Sequence, residues 1–144
     1  MAASLQDVVQ RLLSPELDIC AQDFRGQRVF VRADLNVPLA REGGRTRVAD
    51  HERIDAALPT LRLLAAGGAR VVAASHLGRP EPGKEPEEDM RRRDSLRPVA
   101  AVLAAELGDA FTGMADDCAG PSAAALVASL RDGQARPAAP LPEL

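Results

Sequence analysis

Val29-Phe-Val-Arg-Ala-Asp-Leu-Asn-Val-Pro38 and, some forty residues later, Val71-Val-Ala-Ala-Ser-His-Leu-Gly-Arg-Pro80 decide the fold of this chain. Each begins as a short apolar run and ends in polar groups: Asp34 and Asn36 in the first, His76 and Arg79 in the second. A continuous apolar run is what a strand covered on both faces requires. Between them, from about Asp50, Ile54, Ala57, Leu58, Leu61 and Leu64 recur at helical spacing, and Gly67-Gly68 stops the pattern. Pro59 lies inside it and predicts a kink or a restart. Strand, helix, strand at this spacing predicts a right-handed βαβ unit with parallel strands over Arg28–Arg32 and Arg70–Ser75. The fold class expected is α/β, a partial Rossmann-like parallel sheet with flanking helices.

Outward from this unit the patterns are weaker. Residues 4–13 read as a short amphipathic helix, with Ser4 as N-cap and Leu5, Val8, Val9 and Leu12 on one face. Residues 41–50 read as a charged, glycine-containing connection. Residues 81–93 hold nine charged side chains in thirteen positions and read as a solvated loop. Helix resumes with Ser95 as N-cap and Pro98 in its first turn, buries Val99, Val102, Leu103 and Leu107, and ends at Gly108. A last helix is expected over about 122–130. Pro137, Pro140 and Pro142 argue against helix and central strand, so 135–144 reads as a disordered proline-rich tail.

Composition narrows the function. The chain has 144 residues, enough for one core, with 21 acidic and 18 basic residues, net charge -3 and pI near 5.4. Neither a basic face nor an aromatic platform for bases is evident, since only Phe24, Phe30 and Phe111 are aromatic; nucleic acid is not the expected partner. Cys20 and Cys118 have neither CxxC partners nor histidines at metal spacing and read as two thiols in a reducing compartment. The longest apolar run falls well short of the ~18 residues of a membrane span, and the first residues lack the features of a secretory signal. A cytoplasmic protein is expected, with a plastid as the other option.

Ligands of open parallel sheets sit beyond the carboxyl ends of the strands. Asp34, Asn36, His76 and Arg79 fall there, and Arg53 opens the intervening helix, whose N-terminus favours anions. Arg53 and Arg79 can each bind a carboxylate or phosphate through two N–H groups. Asp34 and Asn36 can accept from a hydroxyl, and His76 can donate to an anionic oxygen. Each has a purely structural reading as well. Asp34 and Asn36 suit a turn, Arg53 a surface ion pair, and His76 a satisfied buried imidazole. No GxxxxGK[ST] loop and no GxGxxG fingerprint occurs, so no nucleotide site is expected.

These residues resemble the N-terminal domain of phosphoglycerate kinase. Val31-Arg-Ala-Asp-Leu-Asn-Val-Pro38 is similar to the family's first signature, with Leu35 where Phe is usual. Arg53-Ile-Asp-Ala-Ala-Leu-Pro-Thr-Leu61 resembles the helix that opens with a substrate arginine. Ala74-Ser-His-Leu-Gly-Arg-Pro80 resembles the second signature, and Ser95-Leu-Arg-Pro-Val99 and Asp116-Asp-Cys-Ala-Gly-Pro121 follow in family order. Agreement runs over about 18–134, apart from a longer loop at 81–93.

The resemblance implies phosphoryl transfer between 1,3-bisphosphoglycerate and Mg-ADP, giving 3-phosphoglycerate and ATP, by a usually monomeric enzyme of glycolysis, gluconeogenesis or the Calvin cycle. It implies that Asp34 and Asn36 hold the hydroxyl and carboxyl end of the substrate. His76 and Arg79 would hold the 3-phosphate end, and Arg53 would act catalytically at the transferring phosphoryl group. Leu35, Leu77 and Gly78 count as substrate-binding with them. Residues 1–134 would form part of the phosphoglycerate domain. The resemblance ends near Gln134: the family's third strand, its later substrate arginine and its nucleotide and magnesium site have no counterpart in the residues that follow. Activity of this chain alone is therefore not expected. A non-catalytic phosphoglycerate- or anion-binding module and a non-functional product are the alternatives.

Overall fold

The computed structural model describes residues 19–78 and 93–137. The helix expected at 4–13, Arg79, nearly all of the charged loop and the end of the proline-rich segment lie outside these residues.

Strand β1 (Arg28–Arg32) pairs in parallel with β4 (Arg70–Ala74), in register from Arg28 opposite Arg70 to Arg32 opposite Ala74. Between them run the hairpin β2 (Leu39–Glu42) and β3 (Arg45–Val48), then helix α1 (Glu52–Ala66). After β4 come α2 (Arg97–Leu107), a 3-10 turn at Gly108–Ala110, α3 (Pro121–Ala128) and β5 (Ala135–Pro137). The main sheet has the order β1-β4-β5.

Alternation along β1 explains how the sheet is covered. Val29 and Val31 pack against the core, whereas Phe30 points away from it and is 64% exposed. On β4 Val71 and Ala73 are buried, and they meet Ile54, Leu58, Leu61 and Leu64 of α1 and Val99 and Leu103 of α2 in one cluster. Each buried Val, Leu or Ile among them contributes roughly 1.5–3 kcal/mol relative to exposure. Helix α1 continues through Pro59 and does not restart there. It closes with Gly67 donating to Leu63 O and Ala69 to Leu64 O, which delivers the chain straight into β4.

Three expectations are corrected. The connection at 41–50 contains a β-hairpin. Its two-residue loop, Gly43-Gly44, has φ of 57° and 77°, the positive pair that joins right-twisted strands tightly. Helix α2 takes Leu96, not Ser95, as N-cap; the Ser95 hydroxyl accepts from Arg97 N at 3.3 Å. The segment from Ala135 begins as a third strand, parallel to β4, with Val71 N donating to Gln134 O and Thr112 N to Ala135 O. Pro137 is compatible because it ends a three-residue edge strand, where a missing N–H costs least. No disulfide joins Cys20 and Cys118. Among the described residues no helix is long and apolar enough to cross a membrane.

Candidate functional site

The loops leaving β1 and β4 are joined by the main chain first. Ala33 N donates to Ala74 O at 2.9 Å, carrying the ladder one residue past each strand. Leu35 N then donates to Ser75 Oγ at 2.9 Å, and the Ser75 hydroxyl donates to His76 O at 2.9 Å. Ser75 is 1% exposed, so these bonds form where water cannot replace them. Leu35 and Val37 of the first loop and Leu77 of the second all enter the core. Alternation therefore leaves Asp34, Asn36 and His76 on the opposite side of each loop.

Asn36 spans the two loops. Its Oδ1 accepts from Gly78 N at 3.0 Å, and its Nδ2 lies 3.3 Å from His76 Nε2. Gly78 has a φ of +72°, which strains any residue with a Cβ, and a Cβ there would also push the Asp94 carboxylate aside. Asn36 N in turn donates to Asp34 Oδ1 at 3.1 Å, an Asx-type contact that shapes the first loop.

Arg53 completes the edge. It is the second residue of α1, and its Nη1 reaches both Asp34 carboxylate oxygens, at 2.8 and 2.7 Å. Asp50 Oδ1 accepts from Glu52 N at 2.8 Å and anchors that first turn. Both members of the Arg53–Asp34 pair are more than half exposed. Partial desolvation works to raise the Asp34 pKa. The Asn36 N–H, the Arg53 hydrogen bond and charge, and the field of His76 outweigh it and hold the carboxyl below its ordinary range.

The expected residues Asp34, Asn36, Arg53, His76 and Gly78 are thus gathered at one sheet edge, drawn from two strand ends and one helix start. The side chains of Leu35 and Leu77 are not there. They are 1% and 4% exposed in the core, so a ligand could meet these residues only through their backbone. Both follow the inward phase of their loops and act as anchors. Ser75 was not singled out from the sequence; its signal is a hydroxyl in the otherwise apolar run 71–75, next to a polar strand ending. Among the described residues no group of three or more His, Cys, Asp or Glu could hold a metal.

A sequence profile described as phosphoglycerate kinase matches residues 19–136. The chain belongs to the phosphoglycerate kinase family. Curated relatives include phosphoglycerate kinase of Salinispora tropica, 49% identical over 117 residues that cover 81% of this chain and 27% of that protein. The chloroplastic phosphoglycerate kinase of Chlamydomonas reinhardtii is 42% identical over 132 residues, 92% of this chain and 27% of that one. Among solved structures, the phosphoglycerate kinase of Coxiella burnetii superposes with a TM-score of 0.59 at 30% identity, over 85% of this chain and 27% of the other. That of Pyrococcus horikoshii gives 0.63 at 26% identity, over 84% and 27%. The chain therefore spans about a quarter of the length of the phosphoglycerate kinases it matches.

Proposed function

We propose that this chain forms the phosphoglycerate-binding edge of a phosphoglycerate kinase. The observation that supports the reading most directly is the hydrogen-bonded constellation of Asp34, Asn36, His76 and Arg53 where β1, β4 and α1 converge. A small acid carrying a hydroxyl and a phosphate needs such a mixture of acceptor, donor and guanidinium.

In this reading Asp34 accepts the substrate hydroxyl's hydrogen bond, and His76 and Arg79 meet its phosphate. Arg53 exchanges its bond to Asp34 for the oxygens of the transferring group. Phosphoryl transfer asks the protein for position and charge rather than for a covalent step, and a guanidinium suits the equatorial oxygens. Mg-ADP would be the second substrate. The chain contains neither a GxxxxGK[ST] loop nor a GxGxxG fingerprint, so no step of the transfer falls to its residues on the nucleotide side. Such a protein would work as a monomer in the cytoplasm or, like the chloroplastic relatives, in a plastid.

A second reading concerns the 144 residues taken alone: the same edge would make them a module that binds phosphoglycerate and transfers nothing. Two measurements separate these readings. Calorimetric titration with 3-phosphoglycerate is expected to give saturable binding to the 144-residue chain. The same chain with 1,3-bisphosphoglycerate and Mg-ADP is expected to form no ATP. ATP formation would restore the full activity to it, and no heat at millimolar 3-phosphoglycerate would remove both readings.

A further inference from the structure

The two bonds of the Asn36 amide have a consequence for the imidazole they touch. Gly78 N can only donate, so the atom 3.0 Å from it must be the amide oxygen. The opposite orientation would set two donors against each other. Once Oδ1 faces Gly78, Nδ2 must face His76 Nε2, at 3.3 Å. An amide NH2 can only donate, so Nε2 must be the acceptor, and the proton of a neutral ring belongs on Nδ1.

We propose that Gly78 and Asn36 act as positioning residues that lock His76 in its Nδ1–H tautomer. The inference stands on these hydrogen bonds alone. Its functional meaning rests on the phosphoglycerate reading: Nδ1–H, which has no partner among the described residues, is then the atom offered to an anionic oxygen. Asn36 in turn has one amide proton committed to the ring and its oxygen committed to Gly78. The first of these roles falls to it before any ligand arrives.

The chain contains only two histidines, His51 and His76, which makes the test direct. Long-range proton–nitrogen spectra of the full chain with nitrogen-15 histidine, at about pH 9 where an ordinary imidazole is neutral, report which ring nitrogen is protonated. His51→Gln removes the other ring and assigns the signals. The expected pattern for His76 is a protonated Nδ1 and a bare Nε2. Asn36→Asp replaces the donor by an acceptor that satisfies Gly78 N and Nε2–H together, so Nε2 should become protonated. A protonated Nε2 in the unmodified chain overturns the proposal, as does a bare Nε2 in a folded Asn36→Asp chain. Binding of 3-phosphoglycerate is scored separately. No binding with the expected tautomer defeats the functional reading alone, and binding with Nε2–H defeats the tautomer lock alone.

Discussion

Arg53 and Asp34, nineteen positions apart in the chain, meet through one guanidinium nitrogen shared between both carboxylate oxygens, at 2.8 and 2.7 Å. The pair is exposed, and such pairs contribute about 0.2–1 kcal/mol to stability. A charge-assisted bond to a bound anion contributes about 1.5–3 kcal/mol, so the two roles of Arg53 differ in size. Arg53→Ala should therefore lower unfolding free energy by less than ~1 kcal/mol and weaken 3-phosphoglycerate binding by about tenfold or more. Denaturant melts and calorimetry read the two separately. A large loss of stability with unchanged binding would make the pair merely structural.

Ser75 lies on the stability side of the same edge. In Ser75→Ala the buried Leu35 N–H loses its acceptor, which should cost about 1–3 kcal/mol. The Asp34–Asn36 loop should loosen with it. Amide hydrogen exchange at Leu35 is the readout, and protection as strong as in the unmodified chain would contradict the role assigned to the hydroxyl.

Leu35 separates core from site. It stands in the family's signature but is 1% exposed, in the same core cluster as Val37, Ile54 and Leu58. Leu35→Ala should cost about 2–5 kcal/mol, the range for deleting a buried leucine. Any ligand that still binds the folded fraction should do so with nearly unchanged affinity. A specific loss of affinity in a fully stable variant would place the side chain at the ligand after all.

The end of the chain carries its own pH dependence. Asp117 takes hydrogen bonds from Ala123 N, Gly120 N and Ser122 N, each at 2.9 Å, and so caps α3 from three residues before its N-cap. The Ala123 N–H is the largest influence and, with those of Ser122 and Gly120, outweighs a desolvation that would raise the pKa; the carboxyl is held below its ordinary range. Its folded pKa being lower than its unfolded one, the stabilisation is complete above about pH 4 and is lost as pH falls through the folded value. Asp117→Asn should melt lower than the unmodified chain at neutral pH, and the gap should close in acid. A gap that stays constant as the pH falls through the folded value would contradict this account.

What could be read from the sequence was what local period encodes. The bounds of β1 follow from an apolar run, and Gly67-Gly68 marks the end of α1. The hairpin escaped because Arg41, Glu42, Arg45 and Arg47 carry no apolar alternation; only Leu39 and Val48 touch the core. Its glycine pair was the available signal. β5 escaped because it opens a proline-rich segment, while its pairing is decided by the open side of β4. Likewise the residue types of the site were legible at strand ends, but their partners were not. Arg53 with Asp34 and Asn36 with Gly78 are tertiary contacts, 19 and 42 positions apart, and no local pattern encodes them.

The most direct test of the central claim is a backbone proton–nitrogen map of the full chain titrated with 3-phosphoglycerate. The account predicts saturable shifts centred on Asn36, Arg53, Ser75 and Gly78, with α3 and the Gly43-Gly44 turn unmoved. Shifts centred elsewhere, or none at millimolar ligand, would contradict it.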